Sequence, residues 1–170
     1  MLQRSEVPGD LKPCPASGPM DSYITTLRTS DANLAQSVAG QWQSLKKAGA
    51  TEAAIALFAA DASACSSELA ASGKVRSAAS LVVAFGEDGQ ADRAWQAGIF
   101  GFAPPAPGEV PPGVTRGTNP SLGSASWTYE VAPVRLSCWR RTVLVALVVT
   151  INLEDAAFGV ATAAVDARIH

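Results

Sequence analysis

Residues 125–151 read ASWTYEVAPVRLSCWRRTVLVALVVTI, and this stretch decides the fold. Ala125, Trp127, Tyr129 and Val131 alternate with Ser126, Thr128 and Glu130. After Ala132-Pro133, Val134, Leu136 and Cys138 alternate with Arg135, Ser137 and Trp139. A period of two sends successive side chains to opposite faces, which is the pattern of a strand. Arg140-Arg141 reads as a tight turn into Thr142–Ile151, which is apolar on both faces and therefore central or covered on both sides. Three strands joined by short turns predict an antiparallel sheet.

Working outward, a last helix from about Glu154 is expected to pack Phe158, Ala161, Val165 and Ile169. Upstream, Leu81, Val83 and Phe85 alternate with Ser80, Val82 and Ala84, a further strand. Gly86-Glu87-Asp88-Gly89 reads as a turn, and Gln90–Gly98 as a short helix with Ala91, Ala94 and Trp95 inward. Six prolines between Phe102 and Gly123 rule out regular structure there and predict a long crossover loop.

Nearer the N-terminus, Asp31 is a candidate N-cap for a helix carrying Leu34, Val38, Trp42 and Leu45 on one face and ending at Gly49. A second helix is expected from Thr51, because Ile55, Phe58, Ala62, Cys65 and Leu69 recur at steps of three and four until Gly73. Residues 1–30 read as an irregular arm rich in Pro and Gly, with a short helical turn around Asp21–Leu27. The expectation is one α+β domain over 31–170, in the order α-α-β-α-loop-β-β-β-α. Its antiparallel sheet has about four strands, with helices gathered largely on one face.

Composition narrows the function by exclusion. Of 170 residues, 48% are hydrophobic and 16% charged, with a net charge of −2, so the chain is neither disordered nor marked by a basic nucleic-acid footprint. The single histidine is the last residue, which excludes most His-dependent catalysis. No Gly-rich phosphate cradle and no GxSxG elbow occurs, and Cys14, Cys65 and Cys138 share no metal-ligand spacing. No cofactor or metal and no enzymatic activity is therefore expected. Glu87-Asp88 and Glu154-Asp155 sit at a turn and a helix start, where carboxylates ordinarily serve local structure.

Two features carry the functional reading. Arg135, Arg140 and Arg141 form the one basic cluster, either a solvated hairpin tip or an anion-recognition site. Trp127 and Trp139 fall on neighbouring strands, either as a cross-strand aromatic pair or as part of a ligand cleft. That cleft would be walled by Trp127, Tyr129 and the 103–123 loop, with Arg135, Trp139 and Arg140 beside it. The ligand would be a small molecule or a cell-envelope component. A homodimer interface built on the two-sided apolar strand is the alternative.

The compartment has two readings. The opening residues lack the apolar core of a secretion signal, and the longest apolar run, Val143–Val149, is far short of the ~18 residues of a membrane span. Taken from Met1 the chain would be cytosolic; with a leader outside this sequence it would be an exported domain. In the exported case a Cys14–Cys65 disulfide pins the arm to the rest of the chain and Cys138 is the odd thiol; otherwise Cys65 is a small buried hydrophobe.

The segment Trp139-Arg140-Arg141-Thr142-Val143-Leu144-Val145, running on to Ile151 and an Ala-rich helix ending Ala167-Arg168-Ile169, is similar to the end of bacterial extracytoplasmic sensor-like and lipoprotein domains. The extracellular domain of mycobacterial PknH-type kinases is one example. The resemblance covers 31–170 as a pattern, and the chain departs from it in having three cysteines where those domains carry paired ones. It implies a non-catalytic, exported or surface-anchored domain with a groove for a small ligand.

Overall fold

The computed structural model describes residues 1–61, 65, 75–109, 111–117 and 121–169. In chain order the elements are β1 (Lys12–Pro13), β2 (Gly18–Pro19), α1 (Met20–Ser30), α2 (Ala32–Lys47), β3 (Ala50–Ala59) and β4 (Ser77–Phe85). There follow α3 (Asp88–Ala97), β5 (Val114–Arg116), β6 (Ser126–Val131), β7 (Val134–Arg141), β8 (Leu144–Ile151) and α4 (Asp155–Asp166). One eight-stranded sheet runs β1-β3-β4-β8-β7-β6-β5, with β2 also paired to β3. Every pairing is antiparallel. The α+β class thus holds, while the sheet has twice the strands expected.

Much of the excess comes from residues 50–59, which form β3 rather than the start of a helix. The apparent helical stripe misleads because the strand is Ala-rich and, from Ala53 onward, almost wholly buried on both faces, leaving no polar positions there to reveal a period of two. Ala53, Ile55, Leu57 and Ala59 face one layer and Ala56 and Phe58 the other. Of the remaining expected helix, residues 60, 61 and 65 lie within the described residues, and Ala60 and Asp61 are not helical. The other added strands are short: β1 and β2 from the N-terminal arm, and β5 from the proline-rich loop.

The arm is also more structured than its composition indicates. Residues 20–30 form α1, a full helix burying Met20, Tyr23, Ile24 and Leu27. Ahead of it Leu2, Val7 and Leu11 are core residues, at 4%, 8% and 0% exposure. The expected boundary between an irregular 1–30 and a domain beginning at 31 therefore does not correspond to a boundary in packing. Asp31 does cap α2, accepting a hydrogen bond from the Leu34 amide at 2.9 Å. Arg140 and Arg141 complete β7, and the turn into β8 is Thr142-Val143.

Helices cover both faces of the sheet, not one. α1, α2 and α3 lie on the face carrying Ile55, Leu81, Val83, Leu147 and Cys138. α4 and the arm cover the other, which carries Ala56, Phe58, Ala78, Trp139, Ala146 and Val148. Both sides of β8 are thereby buried within the chain, so its two-sided apolar character needs no second copy to explain it.

Candidate functional site

The strand register assigns each sequence-selected residue to a face. Trp127 pairs with Cys138 and Tyr129 with Leu136, on the α1–α3 face. Ser126 pairs with Trp139, Thr128 with Ser137 and Glu130 with Arg135, on the α4 face. Trp127 and Trp139 consequently point to opposite sides and do not form a cross-strand pair. Trp127, Tyr129 and Arg140 share one side; Arg135 and Trp139 share the other. No single groove takes all five.

The Trp127 face is also closed by its own loop. Arg116 on β5 stacks over the Trp95 ring at 5.5 Å and donates to the Pro105 carbonyl and to Gln96 Oε1, tying the proline-rich segment to α3. Trp127 is 8% exposed. Burial pushes the adjacent Cys138 thiol up to about 12, with the Trp127 indole pulling back weakly. Such a thiol stays protonated and inert at neutral pH.

The three arginines are clamps. Arg140 pairs with Asp88 and Asp92 on α3. Arg135 pairs with Asp155 at the start of α4 and donates to the Leu153 carbonyl at 2.8 Å. Arg141 donates through Nε and Nη2 to Asp166 at the end of α4, at 3.0 and 3.1 Å. Trp139 Nε1 donates to the same carboxylate at 2.8 Å. Asp88 and Asp155 do lie in the first turns of α3 and α4, and each is also the partner of one of these arginines. Neither the hairpin-tip nor the anion-site reading describes them, since each guanidinium is committed to a helix.

Pinned at both ends, α4 leaves a cleft over β6 and β7 of about 480 Å³, within the usual range of small-molecule pockets. Its helix side presents Asp155, Phe158, Gly159, Thr162 and Asp166, a stripe at steps of three and four. Its sheet side presents Glu130 and Ser137, diagonal neighbours on one face, with Leu122 from the preceding loop.

Two polar atoms distinguish this cleft. Ser137 is 1% exposed and Thr162 7%, yet neither hydroxyl has a hydrogen-bond partner among the described residues. A helical Thr or Ser ordinarily returns its hydroxyl to the carbonyl one turn back. Thr25 does so to Asp21, Thr26 to Ser22 and Ser44 to Gly40, at 2.9, 3.1 and 3.1 Å. Thr162 does not. Leaving a buried hydroxyl unpaired costs roughly 1–3 kcal/mol. Gly159, in mid-helix at the cleft mouth, adds to this: nothing lies within 4 Å of where its Cβ would be, so packing does not require a glycine there.

Larger furrows lack such hydroxyls. The one between α2 and α3, about 760 Å³, owes its polar lining to exposed Asn33, Gln36, Ser37 and Ser44, as any solvent-facing helix pair would. Among the described residues no group of His, Cys, Asp and Glu is arranged to hold a metal ion.

Comparison with known proteins adds no relative. The chain matches no protein-family model, no curated protein and no solved structure.

Sequence reasoning selected Arg135 and Trp139, which support the cleft from behind, and missed Ser137, Thr162 and Glu130, which line it. The available signal was a Thr on the buried stripe of an otherwise Ala- and Val-rich helix, and a Ser at the centre of a covered strand.

Proposed function

We propose that this chain is a non-catalytic bacterial domain, exported or surface-anchored, that binds a small ligand or envelope component in the cleft between α4 and the β6–β7 hairpin. One observation carries this reading: Ser137 and Thr162, whose hydroxyls are buried and lack a hydrogen-bond partner among the described residues, both line this cavity. Two such costs beside one cavity are consistent with a ligand whose entry shifts the lining and satisfies both. Catalysis is disfavoured by the same geometry. Neither hydroxyl has a base within hydrogen-bond reach to activate it, and Asp155 and Asp166 are tied up by arginines.

Placement outside the cytoplasm is supported by the Cys14–Cys65 disulfide, with S–S 2.06 Å, a bond that persists in oxidising compartments. Among the described residues, no helix is long and apolar enough to cross a membrane. The pattern-level likeness to PknH-type extracellular sensor domains agrees with this reading.

Titration with a panel of metabolites and cell-wall fragments, read by tryptophan fluorescence, tests the site. Gly159→Phe fills the cleft mouth from a position with room for a side chain. Binders of the wild-type protein should be lost in that variant while its fold is kept; a binder that Gly159→Phe leaves untouched places the site elsewhere. Thiol titration of the denatured, unreduced protein should find one free thiol, and three would contradict export.

A further inference from the structure

The polar lining of the α2–α3 furrow is ordinary for a solvent-facing helix pair, but two features of its backbone are not. Gly40 lies in the middle of α2, where glycine costs helix stability relative to alanine. Nothing lies within 4 Å of where its Cβ would be, so packing does not require it. At the loop after α3, Ile99 and Phe102 exchange backbone hydrogen bonds at 3.2 and 2.8 Å across a two-residue turn. Its central residues, Phe100 and Gly101, have φ of +48° and +84°. A turn with both φ positive favours Asn-Gly, and a bulky aromatic at its first position is strained. That turn holds the half-buried Phe100 ring partly against the core and partly along the furrow. Both departures meet at one cavity of about 760 Å³, on the face of the sheet opposite the α4 cleft. Local costs of this kind, unrequired by packing, cluster at ligand sites.

The lining defines the occupant. α2 contributes Asn33, Gln36, Ser37, Gln41 and Ser44 at helical steps, with the bare backbone of Gly40 between them. Ala94 and Ala97 of α3 and the Phe100 ring supply apolar surface. Lys46, Lys47, Asp92 and Arg93 lie on the same two helices, yet no described residue lining the furrow is charged. An ionic ligand would give up water without meeting an opposite charge. A purely apolar ligand would cover the amides and leave them unpaired. A sugar hydroxyl both donates and accepts, as a carboxamide does, so each can satisfy the other. The C–H face of a sugar ring is apolar and suits Phe100 and the alanines. We propose that the α2–α3 furrow binds a neutral saccharide chain, its hydroxyls on Asn33, Gln36 and Gln41 and one ring laid against Phe100. From Asn33 to Ser44 the furrow follows α2 for roughly 16 Å, a length that tetrasaccharides span.

Maltotetraose, cellotetraose, mannotetraose and fully acetylated chitotetraose serve as probes, each titrated at millimolar concentration into the whole isotope-labelled protein by NMR. At least one should bind saturably and shift the backbone amides of residues 33–44 and 98–101. Cationic, deacetylated chitotetraose, anionic tetragalacturonate and a capped tetra-alanine peptide should each bind at least about tenfold more weakly than the best neutral sugar. Gly40→Leu fills the furrow and favours the helix, so its melting temperature should hold or rise while sugar affinity falls at least about tenfold. Phe100→Ala should weaken binding as well, and Phe100→Tyr should keep it. Gly159→Phe, in the α4 cleft, should change nothing. If none of the four neutral sugars binds, the proposal is overturned, as it is if a charged tetramer or the peptide binds equally well. Sugar binding that Gly159→Phe abolishes and Gly40→Leu leaves intact overturns the furrow while the α4 cleft stands.

Discussion

The two faces of the sheet are built from different chemistry. Against α1, α2 and α3 the strands present mostly branched side chains, Ile55, Leu57, Leu81, Val83, Leu147, Val149 and Leu136, with the indole nitrogens of Trp127 and Trp95 as buried polar atoms among them. Against α4 they present Ala56, Ala78, Ser80, Ala146, Thr150, Ser137 and Thr128, small or hydroxylated at most positions. Small side chains let α4 and the arm approach, and Phe58, Trp139 and Val148 pack there with Leu11, Phe158 and Val165 in a second, smaller core. The helix is also held at its ends, through Arg135–Asp155 and Arg141–Asp166, with a cavity beside it. The larger apolar core and the proposed binding cleft therefore lie on opposite sides of one sheet.

That contrast can be broken at several points. The largest effect belongs on the apolar face. Leu147→Ala, at a position 1% exposed, should cost about 2–5 kcal/mol in urea unfolding, and a loss below 1 would mean the face is not the main core. Next comes the disulfide, which closes 51 residues of chain and ties the arm to the sheet. Reduction, or Cys65→Ser, should cost about 2–4 kcal/mol by the same measurement. On the α4 face, Asp166→Asn weakens the acceptor shared by Trp139 and Arg141, both partly or wholly buried. It should cost about 1–3 kcal/mol and raise hydrogen exchange in the last turns of α4 before any other helix. An α4 that exchanges no faster would show that packing, not the clamp, holds it.

A change of opposite sign sharpens the comparison most. Ser137→Ala and Thr162→Val should each raise unfolding stability by up to about 1 kcal/mol, because each removes an unpaired buried hydroxyl. The same kind of truncation on the apolar face can only destabilise. The smallest effect is electrostatic. The Arg168 guanidinium donating to Glu6 holds that carboxyl below its usual range, and the backbone amide of Gln3 adds to this. A depressed carboxyl stabilises the fold above its unfolded pKa and loses that contribution as pH falls through the lower folded value. Wild-type stability should therefore decline slightly more than that of Glu6→Gln on acidification from neutral to about pH 3, a difference kept small by the exposed guanidinium.

How much of this was legible depended on whether local pattern and tertiary environment agreed. β6, β7 and α4 each have one polar or edge-facing side, so a period of two or of 3.6 survives in the residues, and their alternations predicted the faces correctly. β3 has no such side. Its Ala-rich run, with Ile55 and Phe58 three apart, satisfies a helical spacing as well as a strand, and Ala favours the helix. Pairing with β4 on one side and with β1 and β2 on the other overrides that preference. The arm is a similar case: Pro8, Gly9, Pro13 and Pro15 disguise the fact that Leu2, Val7 and Leu11 are core residues.

By itself the sequence determined the α+β class, the alternation within β6 and within β7, and a cysteine set that permits one bridge; that Trp127 and Trp139 face opposite sides followed only from the register between the two strands. The tertiary structure decided what those faces do. Which arginine meets which carboxylate, and which hydroxyls are left without a partner, depends on residues 20 to 30 positions apart brought together by α4 folding back over β7. Local spacing encodes the direction of a side chain, but a partner across a cleft is set only when two separately encoded elements dock.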